Sequence, residues 1–171
     1  SGTSLLLDQA MSVMEDVMDC CYIDGEQQSQ PESLLQALDA QLQLALPFPI
    51  QLADFFSALK IATVIDGEIE PVLIAVDQAH FLSYESFELL RTLVNGSDGV
   101  IRLALVGEYQ IEQMVKLAAF ETAHIKQLEL GPLSLNETGD YLLGLLQSVG
   151  YAGDQPLDND RLAVLYEQSG G

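Results

Sequence analysis

Basic residues are scarce in this 171-residue chain: Lys and Arg together number 6 against 26 Asp and Glu, for a formal net charge of −20. A surface this anionic repels phosphate backbones and anionic lipid, which argues against direct nucleic-acid binding. It also works against ATP, because only Lys60, Arg91, Arg102, Lys116, Lys126 and Arg161 are present to offset a triphosphate. The plain reading of the acidity is solubility; the sharper one is a basic partner protein. Cysteine is equally sparse. Cys20 and Cys21 are adjacent, which is poor geometry for a disulfide and offers no metal-ligand spacing. They are expected to pack as small hydrophobes at the start of a strand in a reducing compartment, the cytoplasm fitting best. No apolar run reaches the ~18 residues of a membrane span, and no signal peptide is visible. The missing initiator methionine is expected to mark a fragment, with any membrane contact made through flanking segments. A Gly-x-Ser-x-Gly elbow is lacking and the two histidines have no convincing partners, which argues against a nucleophilic triad.

What is present is a chain able to bury a core. Hydrophobic residues make up 49% and the mean hydropathy is +0.21, the profile of a folded domain with at most a small appendage. Apolar positions at helical spacing (Leu6, Ala10, Val13, Met14, Val17) predict a helix over 5–19, followed by a short strand at 20–24 closed by Gly25. Pro31 opens a second helix with Leu34, Leu35, Leu38 and Leu42 as its buried stripe, and Pro47-Phe48-Pro49 ends it. A third helix is predicted over 51–65. A strand at 72–76, a helix at 84–94, a strand at 100–107 and a helix at 110–119 follow. The spacing of Ile125, Leu128 and Leu130 predicts a last strand near the sheet edge, and Gly131-Pro132 marks a boundary. Beyond it, Ser134 and Glu137 resemble a capping box opening a helix to Val149, closed by Gly150, with another helix at 158–168. Strands alternating with helices, then helices alone, predict an α/β domain over residues 1–131 and a small helical lid over 132–171.

The segment Val72 to His80 carries most of the functional information. Its apolar run lacks alternation, the pattern of a strand buried on both faces in a parallel sheet. An aspartate, Asp77, stands at the carboxyl end, where open α/β sheets place their ligands. The bland alternative is a helix cap. The following Gln78 cannot accept a proton, so a site with this acid lacks a general base there. His80 by itself suits a hydrogen-bonded structural histidine. Glu108, after Val106-Gly107, is an acid at a strand end, where a solvated loop position is the simpler role. Gly2-Thr3-Ser4 precedes a helix and has the outline of the Gly-Lys-Ser/Thr that ends a P-loop, with Thr3 in the lysine position. Ser4 and Asp77 are then the candidate Mg²⁺ ligands, and Gly2, Thr3 and Ser4 the candidate nucleotide-binding residues.

Taken together these residues resemble the AAA-type P-loop ATPases of the ExeA/GspA secretion group. The matching segments are Gly2-Thr3-Ser4-Leu5-Leu6, Tyr22-Ile23-Asp24, Val76 to Leu82, Leu105-Val106-Gly107-Glu108, Leu130 to Thr138 and Ser169-Gly170-Gly171. Bacterial inner-membrane division proteins of the DamX type look similar. The resemblance implies a three-layer sheet flanked by helices with a helical lid, and places the family's lysine, catalytic glutamate and sensor glutamine at Thr3, Gln78 and Glu108. The departures fall on catalysis. The expectation is a degenerate domain serving protein interaction or regulation in an envelope, secretion or division assembly, with ATP and Mg²⁺ bound weakly or not at all. The competing expectations are a working ATPase whose missing groups are non-standard or supplied by a neighbour, and a plain oligomerisation scaffold. Expected partners are proteins, basic ones or further copies of this chain. The resemblance further implies a strand ahead of the P-loop, lying between the strands that end at Asp77 and Gly107, with an open slot there if it is missing.

Overall fold

The computed structural model of the chain describes residues 2–121, 125–131, 133–153 and 158–169. Pro132, Gly170 and Gly171, which entered the sequence motifs, lie outside them. The chain divides into two compact units, Ser1–Ile125 and Lys126–Gly171.

In the first unit, α1 (Gly2–Met14) leads into β1 (Asp19–Asp24), then α2 (Pro31–Gln41) and α3 (Leu52–Ala62). A hairpin of β2 (Val64–Ile65) and β3 (Glu68–Ile69) precedes β4 (Val72–Asp77), a 3₁₀ turn at Ala79–Phe81, α4 (Tyr84–Gly96), β5 (Ile101–Leu105) and α5 (Gln110–Leu117). The main sheet is parallel with order β1-β4-β5; Asp19 lies opposite Val72 and Asp24 opposite Asp77, while Val72 also lies opposite Ile101. Alternate side chains of a strand point to opposite faces. Cys21, Ile23, Val72, Ile74 and Val76 therefore share a face, where Leu34, Leu38, Phe55, Phe87 and Leu90 cover them. On the other face Leu7 and Met11 of α1 pack on Ala75, with Cys20, Ala104 and Val106 beside them. Helices on both faces of a parallel sheet make three layers, as the unbroken apolar run of β4 predicts. The exposed edge of β1 is covered by a side chain: Gln41 accepts from the Tyr22 amide at 2.8 Å and donates to the Tyr22 carbonyl at 2.7 Å, standing in for a neighbouring strand.

Three expectations need correction. No slot separates the strands ending at Asp77 and Gly107. β4 and β5 are hydrogen-bonded neighbours in continuous register, and the pairing runs on through the Val106 amide to the Val76 carbonyl at 2.8 Å and the Ala79 amide to the Val106 carbonyl at 2.8 Å. Among the described residues, the outer sides of β1 and β5 both lack a neighbouring strand, and the Gln41 side chain bonds only the β1 edge. Residues 125–130 form no strand; they are irregular and exposed, since among the described residues no ladder lies beside them and a strand's stability comes from its neighbours. The helix predicted to reach Ile65 stops at Ala62. Asp66 (φ 52°) and Gly67 (φ 84°) both take left-handed conformations between β2 and β3, the two-residue turn whose twist suits a hairpin.

The second unit holds α6 (Leu135–Ser148) and α7 (Asn159–Ser169). Ser134 accepts from the Glu137 amide at 3.3 Å and Glu137 accepts from the Ser134 amide at 2.8 Å, completing the capping box. Gly150, at φ 95°, follows the last residue of that helix end. A Cβ at Gly139 would stand 3.1 Å from Leu162, so α6 and α7 meet closely there.

Candidate functional site at the carboxyl edge of the sheet

β4 delivers Asp77 to the carboxyl edge of the sheet, where the side chain is 3% exposed. A buried carboxylate needs hydrogen bonds. Its Oδ1 accepts from the Gln78 amide at 2.8 Å, and its Oδ2 accepts from the Tyr22 hydroxyl at 3.3 Å. The alternative reading of Asp77 as a helix cap fails. Ser83 caps α4 instead, accepting from the Ser86 amide at 3.2 Å. Tyr22 comes from the adjacent strand. Tyr22 and Asp24 in β1 face Ala75 and Asp77 in β4, so all four side chains project to the face covered by α1. Burial, then the charge and hydrogen bond of Asp77, then the charges of Asp24 and Asp8 hold the Tyr22 phenol above its ordinary pKa. Asp8 belongs to α1, so that helix brings a further acid to the same edge.

The chain turns sharply after Asp77. Gln78 sits in the left-handed region at φ 50°, ψ 37°, a conformation that costs a non-glycine residue about 1 kcal/mol. The turn is wedged against Gly25 at the end of β1. Gly25 donates its amide to the Asp77 carbonyl at 2.9 Å, and a Cβ there would lie 2.5 Å from the Gln78 carbonyl oxygen. Glycine is required by this close approach. His80 follows, side chain 16% exposed; its Nδ1 accepts from the Glu108 amide at 3.4 Å, and its Nε2 lies 4.0 Å from Glu108 Oε1. His80 thus takes the structural role that its sequence context favours, tying the end of β4 to the loop after β5. Gly107 permits this, since a Cβ there would meet Ile111 at 2.6 Å and His80 Nδ1 at 2.8 Å. Glu108 itself is mostly solvated, with 64% side-chain exposure.

Of the residues singled out in the sequence, Asp77, Gln78, His80 and Glu108 therefore meet at one edge. Gly2, Thr3 and Ser4 occupy the first turn of α1. Met14 is joined to the amino end of β1 by residues 15–18, and Leu7 and Met11 lie on the sheet, so α1 runs back with its amino end toward the edge that carries Asp77. Ser4 is half-buried; the side chain of Thr3 lies outside the described part. Tyr22 enters the sequence motifs only within Tyr22-Ile23-Asp24, and the register of β1 on β4 is what reveals its contact with Asp77. Among the described residues no three His, Cys, Asp or Glu side chains form a metal-binding group.

The parallel sheet flanked by helices, with an acid closing its central strand, matches the P-loop NTPase-like α/β fold. The AAA domain family model matches residues 2–115, and the chain belongs to that family. No curated protein matches it. Among solved structures it is similar to Cdc6p from Pyrobaculum aerophilum, with TM-score 0.66 and 14% identity over 86% of this chain and 40% of that one. Two variants of RuvB from Thermotoga maritima also match, with TM-scores of 0.36 and 0.33, identities of 16% and 17%, and coverage of 86% and 85% of this chain and 50% and 51% of theirs. At these identities the likeness to Cdc6p concerns the fold. The chain spans about two-fifths of the Cdc6p chain and about half of the RuvB chains.

Proposed function

We propose that this is a catalytically degenerate AAA domain that works as a protein-interaction or regulatory module of a bacterial envelope, secretion or division assembly, on the cytoplasmic side. AAA relatives generally bind ATP and Mg²⁺, and the residues here fit that pair poorly. Asp77 and Ser4 are ligand types that Mg²⁺ accepts. Yet both Asp77 oxygens already hold protein donors, Thr3 supplies no cation for the phosphates, and the charged groups brought to the edge include the carboxylates of Asp8, Asp24, Asp77 and Glu108. Gln78 stands where a general base would have to be, and an amide cannot take a proton from water. The observation that carries the reading is the Tyr22–Asp77–Gln78 arrangement, in which each oxygen of a buried acid accepts a hydrogen bond from the protein.

Isothermal titration with Mg·ATP beside a phosphate-release assay tests it. The expected result is no turnover above buffer, and binding no tighter than the millimolar range. Turnover that disappears in Asp77→Ala would show a working ATPase with displaced or borrowed groups. Thr3→Lys combined with Gln78→Glu is expected to raise ATP affinity about tenfold, since it restores one cation and one base. No gain would move the nucleotide site elsewhere.

A further inference from the structure

The end of α3 and the hairpin after it carry apolar side chains that the core does not use. Ile61, Val64, Ile65 and Ile69 are 78%, 44%, 47% and 59% exposed. Val64 lies opposite Ile69, giving the hairpin an apolar face, while Ile65 shares the other face with Glu68. A two-stranded hairpin is marginal in water by itself, and aliphatic residues clustered on one are a contact surface in waiting. The hairpin springs from Thr63. Thr63 and Ala62 also line a cleft of about 180 Å³, whose far wall includes Leu42, Gln43 and Asp19, the charged residue of the lining. Acids surround the patch: Asp66, Glu68 and Glu70 on the hairpin and Asp19 in the cleft, against Lys60. Cleft and hairpin lie at the amino ends of the strands. Asp19 is opposite Val72 and Asp24 opposite Asp77, which sets this face about 16 Å along the sheet from the Asp77 edge.

We propose that the β2–β3 hairpin and this cleft form a docking surface for a cationic amphipathic segment of another protein. Its aliphatic side chains would lie on Ile61, Val64 and Ile69, and a lysine or arginine would enter the cleft toward Asp19. The inference rests on the reading of the domain as a protein-binding module and names its binding face. Charge selects the occupant. A second copy docking symmetrically would bring Asp66, Glu68 and Glu70 against themselves, and anionic lipid meets the same repulsion. A cationic segment gains from both halves of the surface, hydrophobic contact holding it and complementary charge steering it.

The test uses a fluorescent synthetic peptide of alternating leucine and lysine as the probe, with anisotropy for affinity and amide chemical-shift mapping for location. Shifts are expected at residues 61–69 and 19–21. Val64→Ser with Ile69→Ser is expected to weaken binding about tenfold and Asp19→Asn several-fold, both with unchanged melting, while Glu32→Gln on α2 leaves affinity unaltered. Shifts that map elsewhere, no binding, or an equal loss in Asp19→Asn and Glu32→Gln would overturn the proposal. So would a concentration-dependent dimer that Val64→Ser with Ile69→Ser abolishes. Phosphate release by the same wild-type preparation judges the non-hydrolysing reading separately, whichever way the peptide behaves.

Discussion

Two residues at opposite ends of β1 show how much a single side chain decides here. Gly25 touches the Asp77 and Gln78 carbonyl oxygens, and an added methyl would stand 2.9 and 2.5 Å from them. Both neighbours are backbone and cannot swing aside, so Gly25→Ala is expected to destabilise the first unit by about 2 kcal/mol or more, read as a lower urea midpoint. Cys21, 1% exposed at the other end, has its thiol pushed up from 9.0 to about 12 by burial, with smaller contributions from Asp19 and Cys20. Between those two values the unfolded chain releases the Cys21 proton and the folded chain retains it. Its contribution is therefore full below the unfolded value and fades as pH rises. Unfolding free energy is expected to drop by about 2–3 kcal/mol between roughly pH 9 and 11, and Cys21→Ala is expected to flatten that slope. In native protein at neutral pH, Cys20, which is half-buried, is expected to react with a thiol reagent well before Cys21.

Among the elements, α6 offers the clearest local test. The Ser134 and Glu137 pair satisfies two amides at its start, and that hydrogen bonding holds the Glu137 carboxyl below its ordinary value. A depressed acid contributes above its unfolded pKa and loses its effect as pH falls through the folded one. Ser134→Ala is expected to cost about 1 kcal/mol of stability in the unit holding α6 and α7. Glu137→Gln keeps a reach back to the Ser134 amide and is expected to cost less while removing the acid dependence, both followed by circular dichroism. β4 behaves differently, because its stability comes from burial between α1 and the layer of α2, α3 and α4 and not from its ends.

For the whole molecule, 26 acids against 6 bases mean self-repulsion in the folded state that the expanded chain relieves. Salt screens it, so the melting temperature is expected to rise by a few degrees between about 0.01 M and 0.5 M sodium chloride, measured by calorimetry. A protein whose stability came from surface ion pairs would show the opposite trend. Among the described residues those pairs are few and solvent-exposed, such as Lys116–Glu112 and Arg161–Asp158.

Residue order alone determined the layered α/β class. An apolar run without alternation has to be covered on both faces, and the helices that cover it are periodic enough to read. It determined Asp77 at a strand end and Gln78 beside it, because a side chain's chemistry does not depend on folding. It also determined the α6 capping box, a contact within four residues. Only tertiary structure decided that β4 lies directly against β5, since pairing partners are distant in sequence and the order of strands in a sheet is not written in either one. The same holds for Tyr22, whose hydroxyl reaches Asp77 through the register of two strands separated by α2, α3 and a hairpin. The hairpin at 64–69 was open to local reading, as Asp66-Gly67 after the β-branched pair Val64-Ile65 is a turn signal, yet the helical spacing ahead of it masked that signal. The failed strand at 125–130 is the converse: apolar spacing suggests a strand, but without a neighbour to bond its backbone groups it forms none.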